Sequence, residues 1–169
     1  DFSKDFLLKL ITGWQFAWIR MADIWYESVS QRFGAEAANE CNLEAWTRVG
    51  ERVNPRLAKL ANIKLNTVLD SLKLLQLPLD INIGPLYPVE YEIPNPNHVI
   101  MTILQCRSLI YFEKEAPHMI EPTCYRLEEQ VMKAYLVNPR IKVTALKLPP
   151  RKSRDEAACI WEFRMEEDK

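Results

Sequence analysis

Along the first third of the chain, apolar side chains recur at intervals of three and four. They are Phe6, Leu7, Leu10, Ile11, Trp14, Trp18, Met21, Ile24, Trp25 and Val29. This is the period of a helix. Lys9, Arg20, Asp23, Glu27 and Gln31 fall mostly between them. Ser3 suits the helix start, where its hydroxyl can accept from a free backbone N–H. Gly34, after Phe33, suits the end. The pattern predicts a helix over 3–32, aromatic on more than one side. Such a helix is either central to a core or part of a subunit interface. A second stripe, Leu43, Trp46, Val49, Val53, Leu57 and Leu60, predicts a helix over 35–60. Pro55 is expected to kink or split it, since proline removes a donor and crowds the preceding turn. A third helix is expected over 64–76, on Leu65, Val68, Leu69, Leu72 and Leu75, with Pro78 stopping it.

From residue 78 the pattern changes. Prolines stand at 78, 85, 88, 94, 96 and 117. Between them lie two runs of strand length, 86–93 and 99–106, joined by the turn signal Pro94-Asn95-Pro96-Asn97. Residues 107–115 could extend a strand or start a helix. Pro122 and Thr123 are expected to open a helix reaching Val137, ended by Asn138-Pro139. Strands at 141–148 and 158–165, linked by a charged loop through Pro149, Pro150 and Arg154, close the series. The fold class expected is α+β. A helical N-terminal half packs on a four-stranded antiparallel sheet, of order ββαββ, in the C-terminal half.

Length and composition bound this picture. At 169 residues the chain is expected to form a single domain, with a helical part at 1–77 and a sheet-containing part at 78–169. Lys and Arg number 22 against 23 Asp and Glu, a formal charge of −1. That balance offers no footprint for nucleic acid or an anionic membrane. No apolar run approaches the ~18 residues of a membrane span. The run at 6–11 is short and lacks the basic start and cleavage site of a signal peptide. The first residue is Asp1, which leaves room for a trimmed leader. Four cysteines, at 41, 106, 124 and 159, include no CxxC pair, and reduced thiols in the cytoplasm are expected.

The motifs exclude more than they assign. Glycines stand only at 13, 34, 50 and 84, so no phosphate-cradling loop is present. His98 and His118 are too far apart for a helical zinc pair, and no GxSxG elbow occurs. Cys124, expected in the first turn of a helix, would gain thiolate character from free N–H groups and the dipole. With His118 nearby it forms a candidate nucleophile–base pair; read otherwise, it is a buried small apolar residue. Cys106, Cys124 and Cys159 could converge as soft ligands to zinc or iron, with Glu128 or His118 completing the set. Asp23 and Glu44 sit near Trp25 and Trp46, where a carboxylate in an apolar pocket would be poised for acid–base work. Alternatively, both face water.

Several stretches carry a family resemblance. They are Cys106, Pro122-Thr123-Cys124, Asn138-Pro139-Arg140-Ile141-Lys142-Val143, Pro149-Pro150 and Cys159-Ile160-Trp161-Glu162-Phe163. Phe33-Gly34, Ala37-Ala38, Asn42, Glu44 and Trp46 extend the likeness toward the N-terminus. Together they resemble an uncharacterised bacterial and archaeal cytosolic family. That family is similar to the L-2-amino-thiazoline-4-carboxylic acid hydrolase-like proteins and, more remotely, to the four-vinyl reductase domain. The resemblance implies a helical part on a small α+β ligand-binding domain, and its remoter relatives imply cysteine-held zinc. One departure is plain. Around the proline pair the family usually has a further cysteine, an acidic residue and a histidine. This chain has Leu146, Lys147 and Leu148 before the pair and Arg151, Lys152 and Ser153 after it.

The expected function is that of a cytosolic small-molecule-binding protein. Its pocket would be lined by Cys106, Cys124, Trp161 and the tryptophans Trp14, Trp18 and Trp25, with Asp23 or Glu44 as the orienting polar contact. An enzymatic alternative is a thiol-dependent or metal-assisted hydrolase of a small cyclic or amide substrate, with Cys124 as nucleophile or ligand. A third reading is a module that dimerises through its first helix.

Overall fold

A tight turn and a charged loop fold the C-terminal half into two hairpins, which join edge to edge. The computed structural model describes residues 1–79 and 87–166. In it β1 (Val89–Asn95) pairs with β2 (His98–Ile103), β2 with β4 (Cys159–Met165), and β4 with β3 (Ile141–Lys147). All pairings are antiparallel, and the sheet order is β1-β2-β4-β3. The first turn closes through the Asn97 N–H, which donates to Asn95 Oδ1 at 2.9 Å. The expected start of the first strand, at 86, lies outside the described residues.

Alternation along the strands puts Val99 and Met101, Trp161 and Phe163, and Ile141 and Val143 on one buried face. Two helices contribute the opposite side of this core. They are α3 (Val68–Leu74), through Val68 and Leu72, and α5 (Glu128–Leu136), through Val131, Met132, Tyr135 and Leu136. The protein is therefore α+β, with the helices on one face of an antiparallel sheet.

The chain divides into two compact units, Asp1–Asn42 and Leu43–Lys169. The first holds α1 (Lys4–Phe33) and the start of α2 (Ala35–Leu60). Ser3 Oγ accepts from the Phe6 N–H at 3.2 Å, as the sequence leads one to expect. At the other end Gly34 adopts φ +90°, a value glycine tolerates, and its N–H reaches Ser30 O at 2.9 Å. Tyr26 then donates to Asn39 Oδ1 at 2.7 Å, tying the start of α2 back to α1.

In the second unit, α2 runs unbroken through Pro55, contrary to the expected split. The residue before the proline, Asn54, is fully buried and its Nδ2 donates to Tyr135 O at 2.7 Å, which holds α2 to α5. Gly50 permits that approach: a β-carbon there would lie 2.4 Å from a ring carbon of Tyr135. α3 starts later than expected because Thr67 and Asp70 form a reciprocal cap at its N-terminus. Residues 107–115, open between strand and helix in the sequence, form α4 (Arg107–Glu115). The helix expected from Pro122 begins earlier and is not uniform. A 3₁₀ turn (Pro117–Met119) leads into a π-helix (Glu121–Leu127), which passes into α5. Cys124 therefore lies inside a helical run and not in its first turn.

Candidate functional site

Three cysteines and one glutamate arrive from four different elements. Cys106 caps α4, and its Sγ accepts from the Leu109 N–H at 3.4 Å. Cys124 lies in the π-helix, and Glu128 follows it by four residues as the first residue of α5. Residues at that spacing share a helical face. Cys159 opens β4 opposite Ile103, and its Sγ accepts from Trp161 Nε1–H at 3.2 Å.

The groups act on one another, which places them in one neighbourhood. Burial raises the Cys124 thiol pKa to about 12, with further upward pushes from Glu128, Cys106 and Cys159. Cys159 is also raised to about 12, chiefly by burial; the Trp161 N–H works against this while Glu128 and Cys106 add to it. Cys106 is raised by burial, partly offset by the Leu109 N–H, and the Arg151 guanidinium pulls it down slightly. Glu128 keeps some surface in contact with solvent, yet its carboxyl lies deep among protein atoms. That burial lifts its pKa to about 7. Among the described residues, no hydrogen bond or ion pair engages the Glu128 carboxyl. All four cysteines are free thiols, and Cys41 is exposed in the first unit.

Beside the cluster, the loop between β3 and β4 is clamped by Arg151. Its side chain is closed to solvent. Nε and Nη2 donate to both carboxylate oxygens of Glu113, at 2.8 and 3.0 Å. Nη1 donates to Gln105 Oε1 and to the carbonyls of Arg154 and Glu156, each at 3.3 Å. Tyr125, in the π-helix, donates to Pro149 O and fixes the loop where it leaves β3. A cleft of about 280 Å³ opens along Glu113, Ile120 and Pro150–Arg154. A larger cleft of about 670 Å³, between α2 and α5, is lined by Thr47, Glu51, Lys133 and Lys142 among others. Its mixed charges converge on no common chemistry. None of the sequence-derived site residues lines either cleft, and the smaller one borders Arg151, whose charge acts on Cys106.

His118 is exposed in the 3₁₀ turn, and no hydrogen bond joins it to Cys124 among the described residues. The expected nucleophile–base pair is not formed, and a thiol raised to about 12 is the reverse of an activated one. Trp161 is closed into the core and reaches the site only through its indole N–H. Trp14, Trp18, Asp23 and Trp25 belong to the first unit. Asp23 and Glu44, expected in an apolar pocket, are exposed and pair along the helix surface with Arg20 (3.4 Å) and Arg48 (2.6 Å). Sequence reasoning missed Arg151 and the π-helix. Arg151 had one signal, its place directly after Pro149-Pro150, in a charged loop that also holds Lys152 and Arg154.

The donor chemistry of Cys106, Cys124, Cys159 and Glu128 suits a thiophilic ion such as zinc. Among the described residues, however, no group of three or more His, Cys, Asp or Glu is already drawn close enough to hold a metal. No helix among them is long and apolar enough to cross a membrane. No curated protein and no solved structure matches the chain. The model of one family matches residues 1–165, and the chain belongs to that family, DUF6125, a family of unknown function.

Proposed function

We propose that this chain is a small-ligand-binding protein whose site is the thiol cluster of the second unit, and that the ligand is a thiophilic cation of the zinc type. One observation carries the reading: three thiols and a buried carboxyl from four elements share one neighbourhood, all pushed toward their neutral forms. A bound cation would reverse that balance, since metal binding releases protons from its ligands. The π-helix supports the same place, because such turns concentrate at functional sites. The resemblance to the L-2-amino-thiazoline-4-carboxylic acid hydrolase-like proteins and the four-vinyl reductase domain supports a ligand-binding fold but not the metal, since the groups those relatives carry around the proline pair are replaced here by Leu146, Lys147 and Leu148 before it and Arg151, Lys152 and Ser153 after it. A cytoplasmic location belongs to the proposal, since the thiols need a reducing compartment. The hydrolase alternative has less behind it, because Cys124 has no base beside it and burial opposes its thiolate.

The test is anaerobic titration of the reduced, metal-free protein with cobalt(II), followed by displacement with zinc. The expected result is a sulfur-to-cobalt charge-transfer band, proton release on binding and a raised Tm with zinc. Cys124→Ser and Cys159→Ser should each weaken the band. No charge-transfer band, together with a Tm that excess zinc leaves unmoved, would overturn the proposal.

A further inference from the structure

The longest helix carries an apolar seam with no partner in its own unit. Leu7, Ile11, Trp14, Trp18, Met21 and Trp25 are 45, 47, 59, 37, 51 and 37% exposed. Their spacings run four, three, four, three, four, the interval of a coiled-coil seam. At about 100° per residue the six fall in a single sector roughly 80° wide. Over the length of the seam the charged residues Asp5, Lys9, Arg20, Asp23 and Glu27 fall in a sector about 60° wide on the opposite side of the helix, which they share with the exposed Phe16; Lys4 and Arg32, beyond the seam's two ends, fall beside and within its sector. The start of α2 is bound elsewhere, through Tyr26, roughly a quarter-turn from the seam.

We infer that a second copy of this chain docks on α1, antiparallel, along this seam. That direction matches the seam's small end to its large end. Pairing about a two-fold axis between Trp14 and Trp18 sets Leu7 against Trp25, Ile11 against Met21, and Trp14 against Trp18. Each layer then joins an a position to a d position, as antiparallel helices require, and the small end of one copy meets the large end of the other. Parallel pairing would stack each tryptophan on its own copy and leave Leu7 facing Leu7. The seam is about 27 Å long. Half-exposed aromatic and aliphatic side chains of this number bury on the order of 1,000 Å² in total, enough for a specific if modest interface. A lipid surface is the weaker occupant, because the opposite face carries both signs of charge instead of the lysine and arginine that such helices present.

The experiment is sedimentation equilibrium on the full chain over a range of concentrations. The wild type should show reversible dimerisation. A Trp14→Glu, Trp18→Glu double variant should be monomeric with helix content retained by circular dichroism, and Trp14→Ala, Trp18→Ala should weaken association if the glutamates disturb folding. Glu27→Lys, on the charged side, should dimerise like the wild type. In a Cys41→Ser background, copies with Leu7→Cys should crosslink to copies with Trp25→Cys. Crosslinking of Leu7→Cys copies to one another would overturn the antiparallel register. A wild type that stays monomeric throughout would overturn the docking itself, and so would one that binds phosphatidylcholine–phosphatidylserine vesicles while remaining monomeric in solution. None of these readouts depends on metal, so the thiol site stands or falls separately.

Discussion

Replacing Arg151 by methionine should destabilise the second unit by about 2–3 kcal/mol. The guanidinium is covered, with its side chain 1% exposed, and it loses a two-pronged contact to Glu113 at 2.8 and 3.0 Å. Removing one partner from a buried pair typically costs about 3–5 kcal/mol. Two features lower that figure here. The cover over the guanidinium is thin, with few protein atoms around it, and the Glu113 side chain is 26% exposed and can rehydrate. The three remaining bonds from Nη1 are long, at 3.3 Å, and each adds little. Urea unfolding of the wild type, Arg151→Met, Glu113→Gln and the double variant closes the cycle. The double variant should cost less than the sum of the singles by about 1–2 kcal/mol. The pH dependence carries a sign. Arg151, mainly by hydrogen bonding, holds the Glu113 carboxyl below its usual pKa. A lowered folded-state pKa means a contribution fully present above the ordinary carboxylate value of about 4.3 and lost as pH falls through the folded one. The deficit of Arg151→Met should therefore shrink below about pH 4. Additive costs, or a deficit unchanged down to acid pH, would refute the argument.

Two further predictions follow from packing and thiol state. Gly50→Ala should be destabilising, because its β-carbon would lie 2.4 and 2.8 Å from ring carbons of the fully buried Tyr135. Overpacking of about 1–3 kcal/mol outweighs a helix-propensity gain of up to about 1. Gly13→Ala, with nothing within 4 Å of the new atom, should be neutral or stabilising; urea midpoints that rank the two the other way would contradict this. Iodoacetamide at pH 8, read by peptide mass spectrometry, should modify exposed Cys41 first. Cys124 and Cys159, both raised to about 12, should react only after unfolding; early modification of Cys124 would instead favour an activated nucleophile.

The elements that long periodic runs encode were legible in the sequence. α1 and α2 end within a residue or two of their expected limits, because caps and stripes agree there. The segment Leu109-Ile110-Tyr111-Phe112 could not be read, since four apolar residues in a row suit strand and helix alike. A partner settled it: the Cys106 sulfur caps the first turn, and only Leu109 of the four is buried. Asp23 and Glu44, open in the sequence between a pocket and the surface, face water, and Arg20 and Arg48, three and four positions away, are the surface signal.

The gathering of the thiols follows from topology more than from spacing. Antiparallel pairing of β2 with β4 sets Cys159 against Ile103, three residues before Cys106, and helical spacing sets Glu128 over Cys124. Neither relation needs the cysteines to be close in sequence, and so no ligand motif announces them. The chemical state of the cluster could not be read in the same way. Placing Cys124 at a helix start predicted an acidified thiol, through free N–H groups. The π-helix instead carries it inside a continuous helical run, where burial and a neighbouring carboxyl act in the opposite direction. A hydrogen bond spanning one residue more than in an α-helix leaves no mark in an apolar pattern. The residues of a site can thus be found from topology while the sign of their chemistry depends on local backbone geometry. Arg151 shows this from the other side: its charge is plain in the sequence, but only the fold sets it against Glu113, where it pins the loop and draws down Cys106.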